Sequence, residues 1–246
     1  MFDKRSDENE IMDDLSLKGD DLRKNLDELE YTNRWFGSKK LLLGALNKIH
    51  KTYLSDFNNK QIVIGDFGCG GGDLLRIINH WAKSKKISVK LIGFDANPFM
   101  IQYAIEKSHS CSNIDYQVLD IYSLEFKQLQ FDIIILNSLC HHFSNPSLIT
   151  LYQQLITQTR LAIIINDLQR HWISYYAIKW LSKLLNFSNL AKHDGALSVL
   201  RAFRKQELVD LLCLANIPSY QIRWRWAFRW ELIIWLSNQS IQEKTI

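Results

Sequence analysis

None of the four cysteines, Cys69, Cys111, Cys140 and Cys213, stands in a C-x-x-C pair. The scatter suggests neither a zinc site nor a disulfide framework, so no metal is expected and a reduced, cytoplasmic setting fits the thiols best. The longest apolar runs, residues 133–136 and 161–165, are strand-length and far short of a membrane span. The N-terminus is acidic and lacks the apolar stretch of a secretory signal. No internal repeat or low-complexity tract interrupts the chain.

What remains is ordinary globular material. The chain has 246 residues, 47% of them hydrophobic and 23% charged, which fits one α/β domain with a small appendage. Its formal charge of +4 is unevenly spread. Residues 1–30 carry eleven acids against five bases, leaving a net of +10 for the remainder. Such a start is expected to be solvated and partly disordered over residues 1–20, although Ile11, Leu15, Leu22, Leu26 and Leu29 recur at helical spacing. Two helices, over residues 21–31 and 39–54, are predicted to form an N-terminal cap spanning residues 21–56, with Ser38 as the N-cap of the second.

Residues 62–73 read IVIGDFGCGGGD. An apolar strand ends in an acid and breaks into a glycine-rich turn before a helix, so Gly68, Gly70 and Gly72 let the backbone approach a ligand closely. The helix N-terminus offers free N–H groups there. A dinucleotide fingerprint would need its third glycine at position 73, where Asp73 stands. A second run, residues 89–95, ends in Asp95, suited to a bidentate contact with a ribose diol, and Asn97-Pro98 then caps a helix. A third, residues 116–119, leads to Asp120-Ile121. A fourth, residues 131–138, ends in Asn137-Ser138 ahead of His141-His142.

In order and spacing these four segments resemble motifs I to IV of the class I S-adenosylmethionine (SAM)-dependent methyltransferases, of the UbiE/Coq5-like type, over residues 60–236. The resemblance implies a Rossmann-like seven-stranded, mostly parallel sheet with an antiparallel C-terminal strand pair and helices on both faces. It places the methyltransferase domain at residues 57–238, a helical lid at about 168–203 after the fifth strand, and a flexible tail at 239–246. It implies SAM as cofactor, held by Asp66, Gly68, Cys69, Gly70 and Gly72 along the methionine and ribose. Asp95, Ala96 and Asn97 belong at the ribose, Asp120 and Ile121 at the adenine, and Asn137 and His142 near the sulfonium. Arg34 is either a partner for the cofactor carboxylate or an ordinary exposed arginine.

A hydroxyl acceptor needs its proton removed, and histidine is the obvious base near neutral pH. His142, after the fourth strand, and His193, in the lid, are the candidate catalytic residues, although a histidine pair at 141–142 often only shapes the pocket. Residues 193–203, HDGALSVLRAF, resemble a string in methyltransferases associated with bacterial type III polyketide synthases. His171, Tyr175, His193 and Arg201 are therefore candidate acceptor-binding residues, while a capping Asp194 and a turn Gly195 within a looser stretch at 188–195 are the simpler alternative.

Residues 221–235 alternate arginines with tryptophans. A nucleic-acid stacking platform is one reading. The strict alternation instead predicts a half-buried antiparallel pair with Ile222, Trp224, Trp226, Phe228 and Trp230 inward and Arg223, Arg225 and Arg229 outward, turning near Ala227-Phe228.

The expected function is methylation of a small, largely apolar acceptor, at a phenolic or polyketide-like oxygen. RNA methylation and a non-catalytic partner subunit are the alternatives. Residues 137–140, Asn-Ser-Leu-Cys, lack the prolines and aromatic used to methylate base amines, so nucleic acid is not the expected partner. The acceptor atom and the oligomeric state are not legible.

Overall fold

The computed structural model describes residues 1–236; the tail expected at 239–246 lies outside the described residues. Seven strands form one sheet in the order β3-β2-β1-β4-β5-β7-β6. They are β1 (Ile62–Phe67), β2 (Val89–Asp95), β3 (Ile114–Val118), β4 (Phe131–Asn137), β5 (Thr159–Leu168), β6 (Tyr220–Arg225) and β7 (Arg229–Trp235). The first five run parallel, while β7 is antiparallel to both β5 and β6. The helices are α1 (Asp20–Trp35), α2 (Ser38–Thr52), α3 (Leu54–Asn59), α4 (Asp73–Lys85), α5 (Pro98–Lys107), α6 (Asn145–Gln158), α7 (Trp172–Leu184), α8 (Asn189–Arg201) and α9 (Lys205–Leu214).

The middles of β4 and β5, residues 133–136 and 161–165, are apolar at every position because helices cover both faces. On β5, Ala162 and Ile164 pack with Leu42, Leu46 and Ile49 of α2 and Leu75 and Ile78 of α4. Ile163 and Ile165 face the other way, onto Leu148 and Tyr152 of α6 and Leu208 and Leu212 of α9. The strand order reverses between β1 and β4, so the crevice at their C-terminal ends is where an open α/β sheet binds its ligand.

Several local features differ from expectation. Residues 1–19 lie against the rest of the chain. Arg5 donates to the carbonyls of His141 (3.0 Å), Phe143 (2.9 Å) and Arg201 (2.7 Å), and Met12 and Leu17 pack on Leu22, Leu26 and Met100. Of the acids that looked like solvated charge, Asp3 pairs with Arg204, Asp13 with Arg201, Asp27 with Lys107 and Glu30 with Arg76. Ser38 is the first residue of α2 and Gly37 its cap, with no side-chain capping bond. The stretch at 188–195 is the start of α8, capped by Ser188.

The alternation at 221–235 also breaks. Strand β7 lies inside the sheet and is buried at all seven positions, Arg229 included. Trp224 and Trp226, on the edge strand and its turn, are 46% and 73% exposed. Parity describes a half-buried sheet, and β7 has neighbours on both faces.

Candidate active site

The glycine turn joins β1 to α4 with Gly68, Gly70 and Gly72 all at positive φ. At Gly72 a Cβ would stand 2.2 Å from the Tyr116 hydroxyl, and at Gly68 it would stand 2.7 Å from Leu139. The turn is closed by Asp95, whose Oδ2 accepts from Gly70 N (3.0 Å) and whose Oδ1 accepts from Asn97 N (3.0 Å). Asn97 caps α5 as its spacing implies, accepting from Phe99 N and Met100 N. Cys69 is buried and Ala96 half-buried beside them.

Three carboxylates converge on this turn. Asp66 is 1% exposed and its Oδ1 has no hydrogen-bond partner. Burial, then the charges of Asp73 and Asp95, push its carboxyl well above the usual range. Burial likewise raises Asp95, and raises Asp73 to about 6 against a bond from Asn33 Nδ2 (3.1 Å). The surplus of negative charge favours a cationic ligand. A phosphate would find Gly70 N already taken by Asp95 and would meet three acids, so the turn is unsuited to a dinucleotide pyrophosphate.

Asp120 follows β3, exposed, accepting from Tyr122 N (2.9 Å), with Ile121 half-buried beside it. Asn137 ends β4, and its Oδ1 accepts from Asn166 Nδ2 (2.5 Å). Asn166 in turn accepts from Arg229 Nε (2.9 Å), and Arg229 also donates to the Ser138 hydroxyl. Burial lowers Arg229 to about 10 against the pull of Asp167, so it stays charged at neutral pH. Arg229 and Asn166 thus fix Asn137, a role hidden by the arginine's apparent outward parity.

Arg34 is exposed, its guanidinium 5.9 Å from the Trp35 ring. The residues of α1 that meet the turn are Asn33, on Asp73, and Glu30, paired at 2.7 Å with Arg76, which donates to Gly71 O.

Beyond β4, His141 Nδ1 bonds Asp167 Oδ1 (2.7 Å) and His142 Nδ1 bonds Asp13 Oδ1 (2.5 Å). Glu10, 5% exposed, lies against both rings. Burial opposes charge on His141, but Asp167 and Glu10 outweigh it and raise the ring to about 9. Glu10, Asp13 and Asp167 were not singled out in the sequence. The available signal was an apolar pair, Ile11-Met12, set among the leader's acids.

Arg201 proves unavailable to an acceptor. It is 6% exposed and donates to the carbonyls of His141 (3.1 Å), His142 (2.7 Å) and Glu8 (2.7 Å) and to Asp13 (2.7 Å). Asp194 caps the leader, accepting from Ile11 N (2.9 Å) and Met12 N (3.0 Å). His193, 53% exposed at its side chain, bonds its neighbour Asp194 at 2.8 Å although adjacent residues seldom pair this way. His171 caps α7 and stacks on Phe228 (5.3 Å), and Tyr175 packs on Phe2 (5.6 Å).

Helix α7 is amphipathic in the reverse sense. It buries Ser174 and Ser182 and exposes Trp172, Tyr176, Trp180 and Leu184. Contacts of His171 with Phe228 and of Tyr31 with Phe187 (6.5 Å) join the two ends of this aromatic lid to the hairpin and to α1.

Residues 58–217 match a family described as a methyltransferase domain. A curated relative, the tRNA U34 carboxymethyltransferase of Aliarcobacter butzleri, is 32% identical over 92 residues, 37% of this chain and 28% of that protein's length. Among solved structures, a plantazolicin methyltransferase, BpumL, with SAH superposes with a TM-score of 0.61 at 18% identity, covering 88% of this chain and 99% of that one. The magnesium protoporphyrin IX methyltransferase of Synechocystis PCC 6803 superposes with a TM-score of 0.52 at 14% identity, over 82% and 85% of the two chains. At these identities the superpositions show the shared fold.

Proposed function

The chain belongs to the methyltransferase-domain family over residues 58–217, and on that premise we propose that it transfers a methyl group from SAM to an oxygen of a small, largely apolar acceptor. The observation that carries the cofactor is the cluster of Asp66, Asp73 and Asp95 round the glycine turn, with an unpartnered buried oxygen on Asp66. A ligand bearing an ammonium and a sulfonium matches that field and that orphaned acceptor; a pyrophosphate does not. Similar folds solved with SAH support the same reading.

When bound, the cofactor supplies an electrophilic methyl on sulfur. The protein's part is placement and exclusion of water. Asp66 and the glycine turn would hold the amino-acid end, Asp95 the ribose diol, and Asp120 and Ile121 the adenine. Asn137, braced by Asn166 and Arg229, would sit behind the sulfonium. His142, oriented by Asp13, stands at the end of β4 to manage the acceptor's proton.

The aromatic faces of α7 and the 226–228 turn argue for an apolar acceptor, and Tyr175, His171 and His193 are the lid side chains that would meet it. The finer reading, a polyketide-type phenol as in enzymes associated with type III polyketide synthases, rests on residues 193–203. A second reading, methylation of tRNA, is favoured by the partial likeness to the carboxymethyltransferase.

Incubation with methyl-labelled SAM and either alkylphenols or bulk tRNA separates them. Label in the phenol fraction is expected; label in tRNA alone would replace this reading with the second.

A further inference from the structure

The leader and the β4 histidines form a donor set that hydrogen bonding within the protein leaves unfinished. Asp167 and Asp13 each stand against one of the two imidazoles. As carboxylates they can only accept, so the Nδ1 atoms of His141 and His142 carry protons and donate to them at 2.7 and 2.5 Å. Each Nε2 then faces the Glu10 carboxylate, His141 at 3.5 Å from Oε1 and His142 at 3.9 Å from Oε2. In that tautomer each Nε2 lone pair, a metal-ligating donor, converges with the carboxylate on one point. A cation placed there would engage all three donors.

Arg201 does not supply it. Its Nε stands 4.0 Å from Glu10 Oε1, because the guanidinium is committed to the carbonyls of His141, His142 and Glu8 and to Asp13. That leaves two protons or one cation. An imidazolium bonded to a carboxylate closes to about 2.7–2.9 Å, shorter than both distances seen. Two donors sharing an ion at about 2.0–2.2 Å instead stand roughly 3–3.5 Å apart, close to the separations here. The three donor atoms all lie within 4.8 Å of one another, and Glu10 and His141 are buried while His142 is half-buried.

We propose that Glu10, His141 and His142 bind a divalent transition-metal ion, with Asp13 and Asp167 orienting the two imidazoles through their Nδ1 protons. Two imidazoles, one carboxylate and a vacant position suit Zn²⁺ first, with Mn²⁺, Fe²⁺ and Co²⁺ as competitors. The carboxylate–histidine–metal arrangement fixes tautomer and ring orientation ahead of binding. Scattered cysteines argued against a metal only by excluding a thiolate site.

The site stands whether or not the methyl-transfer reading holds; only its use rests on that reading. An acceptor hydroxyl at the vacant position would give up its proton to solvent while the ion holds the resulting oxygen anion. His142 would then be a ligand rather than a free base.

The test is metal binding by the full chain, purified with chelator and dialysed against Zn²⁺ or Co²⁺, with metal content measured and the Co²⁺ absorption spectrum recorded. One ion per chain is expected, with Kd at or below micromolar. Glu10→Gln, which keeps the bond from Ser198, and His142→Asn should each weaken binding at least tenfold. The exposed His80→Ala should leave it unchanged. Melting curves check that the variants fold, and SAM titration of the chelated protein reads the cofactor site separately. No stoichiometric binding of either Zn²⁺ or Co²⁺, or binding equal in folded Glu10→Gln and the parent, overturns the proposal.

Discussion

Asp73 is pulled two ways by its position. At the first turn of α4 its charge complements the helix N-terminus, yet burial raises its carboxyl to about 6. A raised carboxyl favours the protonated form in the folded state. Its contribution to stability is therefore full below its ordinary value of 3.8 and is lost as pH rises through about 6. The loss amounts to about 3 kcal/mol. Asp73→Asn keeps an acceptor for Asn33 and cannot ionise, so in thermal melts from pH 4 to pH 8 the variant should overtake the parent as pH passes about 6. Parallel curves across that range would refute the assignment. Gly72 makes a purely steric prediction. Its φ of +71° and the Tyr116 hydroxyl 2.2 Å from a Cβ make Gly72→Ala destabilising by roughly 1–3 kcal/mol, measurable by urea unfolding. Residue identities at this turn were legible in the sequence because glycine and acid spacing is local chemistry. The convergence of Asp66 and Asp95 was not, since their mutual repulsion exists only after β1 and β2 pair.

Among the elements, the leader and lid depend on one another. Arg201 of α8 holds both histidine carbonyls and the leader's Glu8 and Asp13, and Asp194 of the same helix caps the turn at Ile11–Asp13. Arg201→Ala leaves those acceptors buried and uncompensated, at a cost of about 3–5 kcal/mol. Hydrogen exchange should rise over residues 5–14 and α8 while β1 and β4 stay protected. Uniform exchange across the chain would mean the contact is incidental. Strand and helix order was legible throughout residues 61–166 because apolar runs, glycine turns and the Asn97-Pro98 cap are short-range signals. The leader's contacts were not legible because acid-rich composition suggests solvation until the opposing arginines, nearly two hundred residues away, are placed beside it. The Arg-Trp hairpin was misread for a related reason: alternation reports one covered face, and β7 has two.

Across the whole molecule, the aromatic lid, the hairpin turn and α1 gather at the C-terminal end of the sheet, above the β1–β4 crevice. Among the described residues no helix is long and apolar enough to cross a membrane. Everything ascribed to the site depends on the glycine turn accepting SAM. Isothermal titration of the chain with SAM tests this most directly. One site per chain is expected, with affinity lowered at least tenfold in Asp95→Asn, whose neutral side chain loses the charge-assisted contact to a diol while retaining an acceptor for Gly70 N. No binding by the folded parent, or equal binding by the folded variant, would contradict the account.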